Sequence, residues 1–259
     1  MLRHGERLDR PTFHDRYVAL VESGVAIKAE LLEGVVYLEG DLEGDLGGDL
    51  EGAEEMVSMR RRHGSWHVLV SGLVDRYLIA TPGTDGYGNT STLTDEPSEP
   101  QPDVSLVVES DRGGQTTVDE NDWVHGLPEM AIEVSISSSR HDRSVKWRVY
   151  EAGSVREYVV VDLDAGEVVL FRRRGDRFEE AEPTGDASTP QHRLETLPGF
   201  WLDNAAVLTR QTAAAWATLE TGLATEEHAA FVRRLAMPRS AGWPPQRSRP
   251  PRRFARLTG

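Results

Sequence analysis

The chain has no cysteine, which removes disulfide bonds, thiol nucleophiles and cysteine-ligated zinc from consideration. It has no glycine-rich loop leading into a lysine and no Gly-x-Ser-x-Gly elbow, so nucleoside-triphosphate and serine-hydrolase chemistries lose their usual signatures. Long apolar runs are missing as well. None approaches the roughly 20 residues that cross a bilayer, and the start, Met1-Leu2-Arg3-His4-Gly5-Glu6-Arg7, holds no apolar leader. The expectation is a cytoplasmic protein with no membrane partner. Positive charge is scarce, with 29 Lys and Arg against 43 Asp and Glu and a net charge of −14. That balance works against binding duplex nucleic acid, which relies on Lys and Arg displacing counterions.

The charge is unevenly spread. Ten acids lie between Ala29 and Ser58 with no Lys or Arg among them, and six arginines lie between Arg239 and Gly259 with no acid. Setting both segments aside leaves the rest of the chain at −10. With 259 residues and 38% hydrophobic content there is material for one good core, so a single domain over residues 1–237 is expected. An acidic insertion interrupts it at about 39–55, where Gly40-Asp41-Leu42, Gly44-Asp45-Leu46 and Gly48-Asp49-Leu50 repeat every four residues. That spacing matches neither an EF-hand nor a glycine-rich β-roll, and the composition is that of an acidic loop. Residues 238–259 form a Pro- and Arg-rich tail expected to be disordered. Its Arg247, Arg249, Arg252 and Arg253 are candidate phosphate contacts, with Trp243 or Phe254 available for base stacking. A solubilising extension accounts for the same composition.

Chemistry concentrates between residues 102 and 146. In Met130-Ala131-Ile132-Glu133-Val134-Ser135-Ile136 the period-two rule puts Met130, Ile132, Val134 and Ile136 on one strand face and Ala131, Glu133 and Ser135 on the other. Glu133 is thus a mid-strand carboxylate behind an apolar face. Its desolvation costs several kcal/mol, on the order of the buried-charge penalty, unless a cation, proton or good partner is present. Asp103 precedes a second apolar run, Val104-Ser105-Leu106-Val107-Val108, and Pro102 suits a strand's first position because it has no N–H for a ladder.

After Glu133, Ser137, Ser138 and Ser139 are N-cap candidates for a helix that carries Asp142, Lys146, Val149 and Tyr150 and stops at Gly153. Asp142 and Lys146 are four apart and can face one side, and an ordinary acid-before-base helix pair explains the same spacing. Arg156 to Asp162 reads as a strand, Leu163-Asp164-Ala165-Gly166 as a turn and Glu167 to Arg172 as the returning strand. A helix between strands acts as a crossover, so the pattern predicts a mixed central β-sheet flanked by helices, an α/β (α+β) fold. His63 opens an amphipathic helix with Trp66, Val70, Leu73, Val74 and Tyr77, and marking that helix is role enough for it. Asn204 to Leu235 reads as helical and suits covering the sheet or a dimer contact.

Taken in order, Pro102-Asp103-Val104, Glu133-Val134-Ser135, Asp142-x-x-x-Lys146-x-x-x-Tyr150 and Gly153-x-x-x-Glu157-Tyr158-Val159-Val160-Val161-Asp162 resemble the Uma2 family. That family is a large bacterial group of endonucleases in the PD-(D/E)XK restriction-endonuclease-like superfamily. Upstream, Glu30-Leu31-Leu32-Glu33-Gly34-Val35-Val36 and His63-Gly64 resemble its earlier motifs, so the likeness runs over roughly residues 10 to 235. One position departs from the superfamily pattern: the usual lysine two residues after the glutamate is Ser135 here, and Lys146 on the following helix is placed to supply the charge.

The resemblance implies a restriction-endonuclease-like fold and metal-assisted phosphodiester hydrolysis of nucleic acid, DNA before RNA. Asp103 and Glu133 would hold Mg²⁺, with Mn²⁺ as an alternative, while Lys146 orients the attacking water or stabilises developing charge. Asp103, Glu133 and Lys146 form the implied catalytic set, with Glu30, Asp142, Ser135 and His63 in support. Restriction-like folds often work in pairs, which implies a homodimer. The alternative is a catalytically silent nucleic-acid-binding or protein-interaction module on the same fold, since fold does not imply function.

Overall fold

The structure, a computed structural model, describes residues 1–25, 27–39, 61–95, 97–136, 142–185 and 189–237, apart from the side chains of residues 39, 61, 142 and 143. The Gly-Asp-Leu repeat, the serine N-cap candidates at 137–139 and the tail with Arg247, Arg249, Arg252 and Arg253 lie outside the described residues.

At the centre is a six-stranded mixed sheet. Its strands in chain order are β3 (Thr84–Gly88), β5 (Val104–Val108), β8 (Met130–Ser135), β9 (Glu157–Asp162), β10 (Glu167–Arg174) and β11 (Arg177–Glu180), and they lie in the order β11-β10-β9-β8-β5-β3. Of the other strands, β1 (Lys28–Leu32) and β2 (Val35–Glu39) pair with each other, and β4 (Thr92–Leu93), β6 (Thr117–Val118) and β7 (Val124–His125) form a small sheet of their own. Within the central sheet only β8 and β9 run parallel, with Glu133 beside Val160 and Ser135 beside Asp162. The parallel pair requires the chain to return to its starting end. It does so through a π-helical turn, Asp142–Lys146, that continues into a short α-helix, Trp147–Ala152. A mixed sheet with a helical crossover after Glu133 is therefore what the chain forms.

The alternation in β8 sorts its two faces as its side chains demand. Met130, Ile132 and Val134 join the larger core with Val104, Leu106, Val159 and Val161, packed under the long helix Arg61–Ala80 and the helices Thr212–Leu223 and Glu226–Ala236. Ala131 joins the opposite core with Val145, Val149, Tyr150, Tyr158 and Val160. Glu133 thus faces the side covered by the crossover helix. A separate hairpin, β1 (Lys28–Leu32) with β2 (Val35–Glu39), reaches that side, tied to the rest by a bridge between Leu31 and Glu99. No helix among the described residues is long and apolar enough to cross a membrane.

Two expectations need adjustment. Asp142 to Lys146 is a π turn rather than α-helix, so the α-helical rule that stacks residues four apart does not apply there. Gly153 ends the crossover helix at φ −81° and ψ −148°, not in the left-handed conformation of a helix stop. Its glycine serves close packing instead, since a Cβ there would lie 2.1 Å from Leu127 Cδ1.

Gly222 offers a test of the packing, because it lies in the helix Thr212–Leu223 where Ala would raise helix propensity by about 1 kcal/mol. A Cβ at Gly222 would come within 2.3 Å of the Gly199 carbonyl oxygen and 2.8 Å of Trp201 Cγ. Gly222→Ala should therefore destabilise the protein by about 1–3 kcal/mol, read from its urea midpoint; a gain in stability would show that this helix does not sit so close.

Candidate active site

The site begins with strand alternation in β1. Ala29 and Leu31 enter a small core with Leu2, Phe13 and Val36, while Leu32 enters the core beneath the crossover helix. Lys28 and Glu30 share the side of Leu32 and so point toward the Glu133 face of the sheet. Asp103 arrives there from β5. Val104 pairs with Ile132 in antiparallel register, so Asp103, one residue earlier, comes opposite Glu133, one residue later. Residues directly opposite in an antiparallel pair point to the same face.

These side chains form a chain of ion pairs. Lys28 Nζ lies 2.9 Å from Asp103 Oδ1. Asp103 Oδ2 accepts from the Val134 amide at 2.9 Å and lies 3.3 Å from His63 Nε2. Lys146 Nζ sits between two carboxylates, 3.0 Å from Glu133 Oε2 and 3.0 Å from Glu30 Oε2. The second oxygen of each acid is also engaged: Glu133 Oε1 accepts from the Tyr150 hydroxyl at 2.9 Å, and Glu30 Oε1 from the Gln101 amide at 2.6 Å. Asp103, Glu133 and Lys146 are each 2% exposed and Glu30 is 6% exposed, so these charges act on one another with little water between them.

Burial pushes the Asp103 carboxyl up, but the Lys28 charge, the contact with His63 and the Lys146 charge outweigh it and hold the group well below the usual carboxylate range. The influence of Lys146 on Asp103 shows that the two halves of the network form one electrostatic unit. Tyr150 goes the other way. Burial first, then the Glu133 charge, push its hydroxyl well above the ordinary phenol value, so it stays protonated and donates.

Of the residues expected from sequence, Asp103, Glu133, Lys146, Glu30 and His63 come together. Ser135 is fully buried, and among the described residues its Oγ has no hydrogen-bond partner and takes no part in the ion pairs. Asp142 opens the π turn, with its side chain outside the described residues. His63, expected both to mark its helix and to support the site, lies against Asp103. Sequence reasoning missed Lys28 and gave Tyr150 no chemical role. The signals existed: Lys28 is two residues before Glu30 on a strand, and Tyr150 is four after Lys146.

Burial alone does not mark this site. Glu129 is 1% exposed, but its carboxylate is taken up by the amides of Val108 and Gln115, and Glu157 is held by Arg172 and the amides of Glu195 and Thr196. Those acids brace loops. Among the described residues, no group of three or more His, Asp or Glu stands ready to hold a metal ion. The donor chemistry nonetheless suits a hard cation, because carboxylate oxygens from neighbouring strands share one face. Among the described residues three carboxylates meet two ammoniums there, and a divalent ion would add positive charge facing an anionic substrate.

The family model described as "Uma2: Putative restriction endonuclease" matches residues 50–205, more than half of the chain. That span contains His63, Asp103, Glu133, Lys146 and Tyr150, while Lys28 and Glu30 precede it. No curated protein matches the chain. A solved structure described as a putative nuclease belonging to DUF820 from Anabaena variabilis ATCC 29413 is 13% identical, with a TM-score of 0.47, covering 70% of this chain and 89% of that one.

Two stability measurements check the network. Lys146→Met leaves Glu30 and Glu133 facing each other without their shared cation, and should cost about 3–5 kcal/mol in urea unfolding at pH 7. A cost below about 1 kcal/mol would mean the ammonium is not between them. Asp103 has a folded pKa below its unfolded one, so its stabilisation is present above the unfolded value and is lost as pH falls toward the folded value. The stability gap between wild type and Asp103→Asn should therefore be widest near neutral pH and narrow below about pH 4; a gap constant with pH would contradict this.

Proposed function

Because the chain belongs to the Uma2 family of putative restriction endonucleases, we propose that it is a Mg²⁺-dependent endonuclease hydrolysing phosphodiester bonds, with DNA as its substrate. The observation that carries the proposal is the convergence of Asp103 and Glu133 on one sheet face with Lys146 bonded to Glu133. Asp103 and Glu133 would hold the ion, and Mn²⁺ suits the same oxygens. When bound, it supplies Lewis-acid polarisation of the phosphoryl group and a more acidic water at neutral pH.

The protein's own groups do the rest. Lys146 orients the attacking water or stabilises negative charge growing on phosphorus oxygens, in a setting where its charge is weakly screened. Glu30 holds that ammonium from the far side and keeps it aimed between the two strands. Tyr150 fixes the rotation of the Glu133 carboxylate through its Oε1, and the Val134 amide does the same for Asp103 through its Oδ2. The lysine is thereby held by neighbours although it comes from a helix rather than from position 135. Cutting both strands of a duplex needs two such sites, which a pair of chains would supply.

A second reading, a binding module that does not cut, draws support from the residual charge of −10 outside the acidic stretch and basic tail. Cleavage assays on single- and double-stranded DNA and on RNA, with Mg²⁺ and with chelator, separate the two. The expected outcome is Mg²⁺-dependent cleavage that Asp103→Asn, Glu133→Gln and Lys146→Met each lower by about 10²-fold or more. Wild-type protein that binds nucleic acid and never cuts it would establish the binding module.

A further inference from the structure

Lys28 is a charge among the described residues of the network that the proposed reaction leaves without a task. It differs from Lys146 in two ways. The Lys146 side chain is 3% exposed and comes from the crossover between two strands of the main sheet, whereas the Lys28 side chain is 16% exposed and approaches Asp103 from a hairpin outside that sheet. The Asp103 oxygens also divide their duties. Oδ2 is committed to the Val134 amide and faces His63, so Oδ1 is the oxygen left for a cation, and Lys28 covers it at 2.9 Å.

We propose that Lys28 is a displaceable counter-ion: it holds Asp103 Oδ1 in the metal-free protein, yields that oxygen to a divalent cation, and carries its ammonium outward to a phosphate oxygen of the substrate. The inference rests on the metal-dependent reading above. Its physical basis is repulsion and reach. An ammonium and a divalent ion cannot share one carboxylate oxygen without strong repulsion at this depth. Lysine is a point charge on a flexible four-carbon stem, able to leave a carboxylate for a phosphate without changing its protonation. Its partial exposure supplies the route. In the metal-free state the same contact offsets the cost of burying Asp103.

The test uses the full chain as wild type, Lys28→Gln and Lys28→Met. Gln keeps a donor for Asp103, which guards against a variant that fails to fold, and thermal melting verifies folding in each case. Calorimetric titration with Mn²⁺ alone should show both variants binding the ion more tightly than wild type, on the order of ten-fold, because a competing charge is gone. Fluorescence anisotropy with a labelled DNA duplex in Ca²⁺ should show weaker binding, with the slope of log affinity against log salt reduced by about 0.9, the loss of one phosphate contact. A lysine with only a structural role would weaken both kinds of binding. Folded Lys28→Gln that binds Mn²⁺ no tighter than wild type, or DNA with an unchanged salt slope, overturns the inference and leaves the metal-dependent reading standing. Wild type that binds no Mn²⁺ removes both.

Discussion

Three carboxylates cannot stay ionised side by side in a protein interior unless cations lie among them. The arrangement around Glu30, Asp103 and Glu133 follows from that constraint. Lys146 stands between two of the acids, Lys28 meets the third, and the backbone amides of Val134 and Gln101 take up oxygens that the ammoniums do not reach. To bring these groups together the chain must set a hairpin, two adjacent antiparallel strands and a crossover helix around one point. The sheet order and the π turn serve that meeting. A π turn is a costly and uncommon way to begin a helix and recurs at functional positions. Here it delivers Lys146 to the carboxylates where a lysine at position 135 would have come directly from the strand.

Much of this was legible in the residues. Period-two alternation in Met130–Ser135 separates the apolar face from the Glu133 face, and both cores of the structure respect that division. The mixed sheet followed from a helix lying between strands, because a parallel pair needs a crossover. What could not be read was anything that depends on strands meeting across long sequence distance. Lys28 and Asp103 are 75 residues apart, and nothing local in either says that they touch. Likewise the helical rule for residues four apart gave way at Asp142 to Lys146, where the chain forms a π turn. Gly153 resembled a left-handed stop by its position alone, while its real constraint, Leu127 beside it, comes from another element.

The acidity of the chain is compatible with a nucleic-acid substrate when the site is considered locally. Elsewhere buried acids are spent on architecture: Glu129 and Glu157 bond backbone amides and hold loops against the sheet. At the candidate site the acids instead meet lysines, three carboxylates with two ammoniums among the described residues. The proposed divalent ion would shift the local charge toward positive. Recognition of a phosphodiester would then be gated by the ion rather than by a basic surface. That accords with a protein that has little positive charge to spare, and it would place binding energy at the reacting group, where it aids catalysis.

Whether Asp103 and Glu133 share a divalent ion is decided by a crystal soaked in Mn²⁺ and measured for anomalous scattering. One strong peak is expected at about 2.1–2.3 Å from an oxygen of each carboxylate, with Lys146 still bonded to Glu133 or Glu30. Full Mn²⁺ occupancy elsewhere, or none at all with the Lys28 to Asp103 contact intact, would contradict a shared ion.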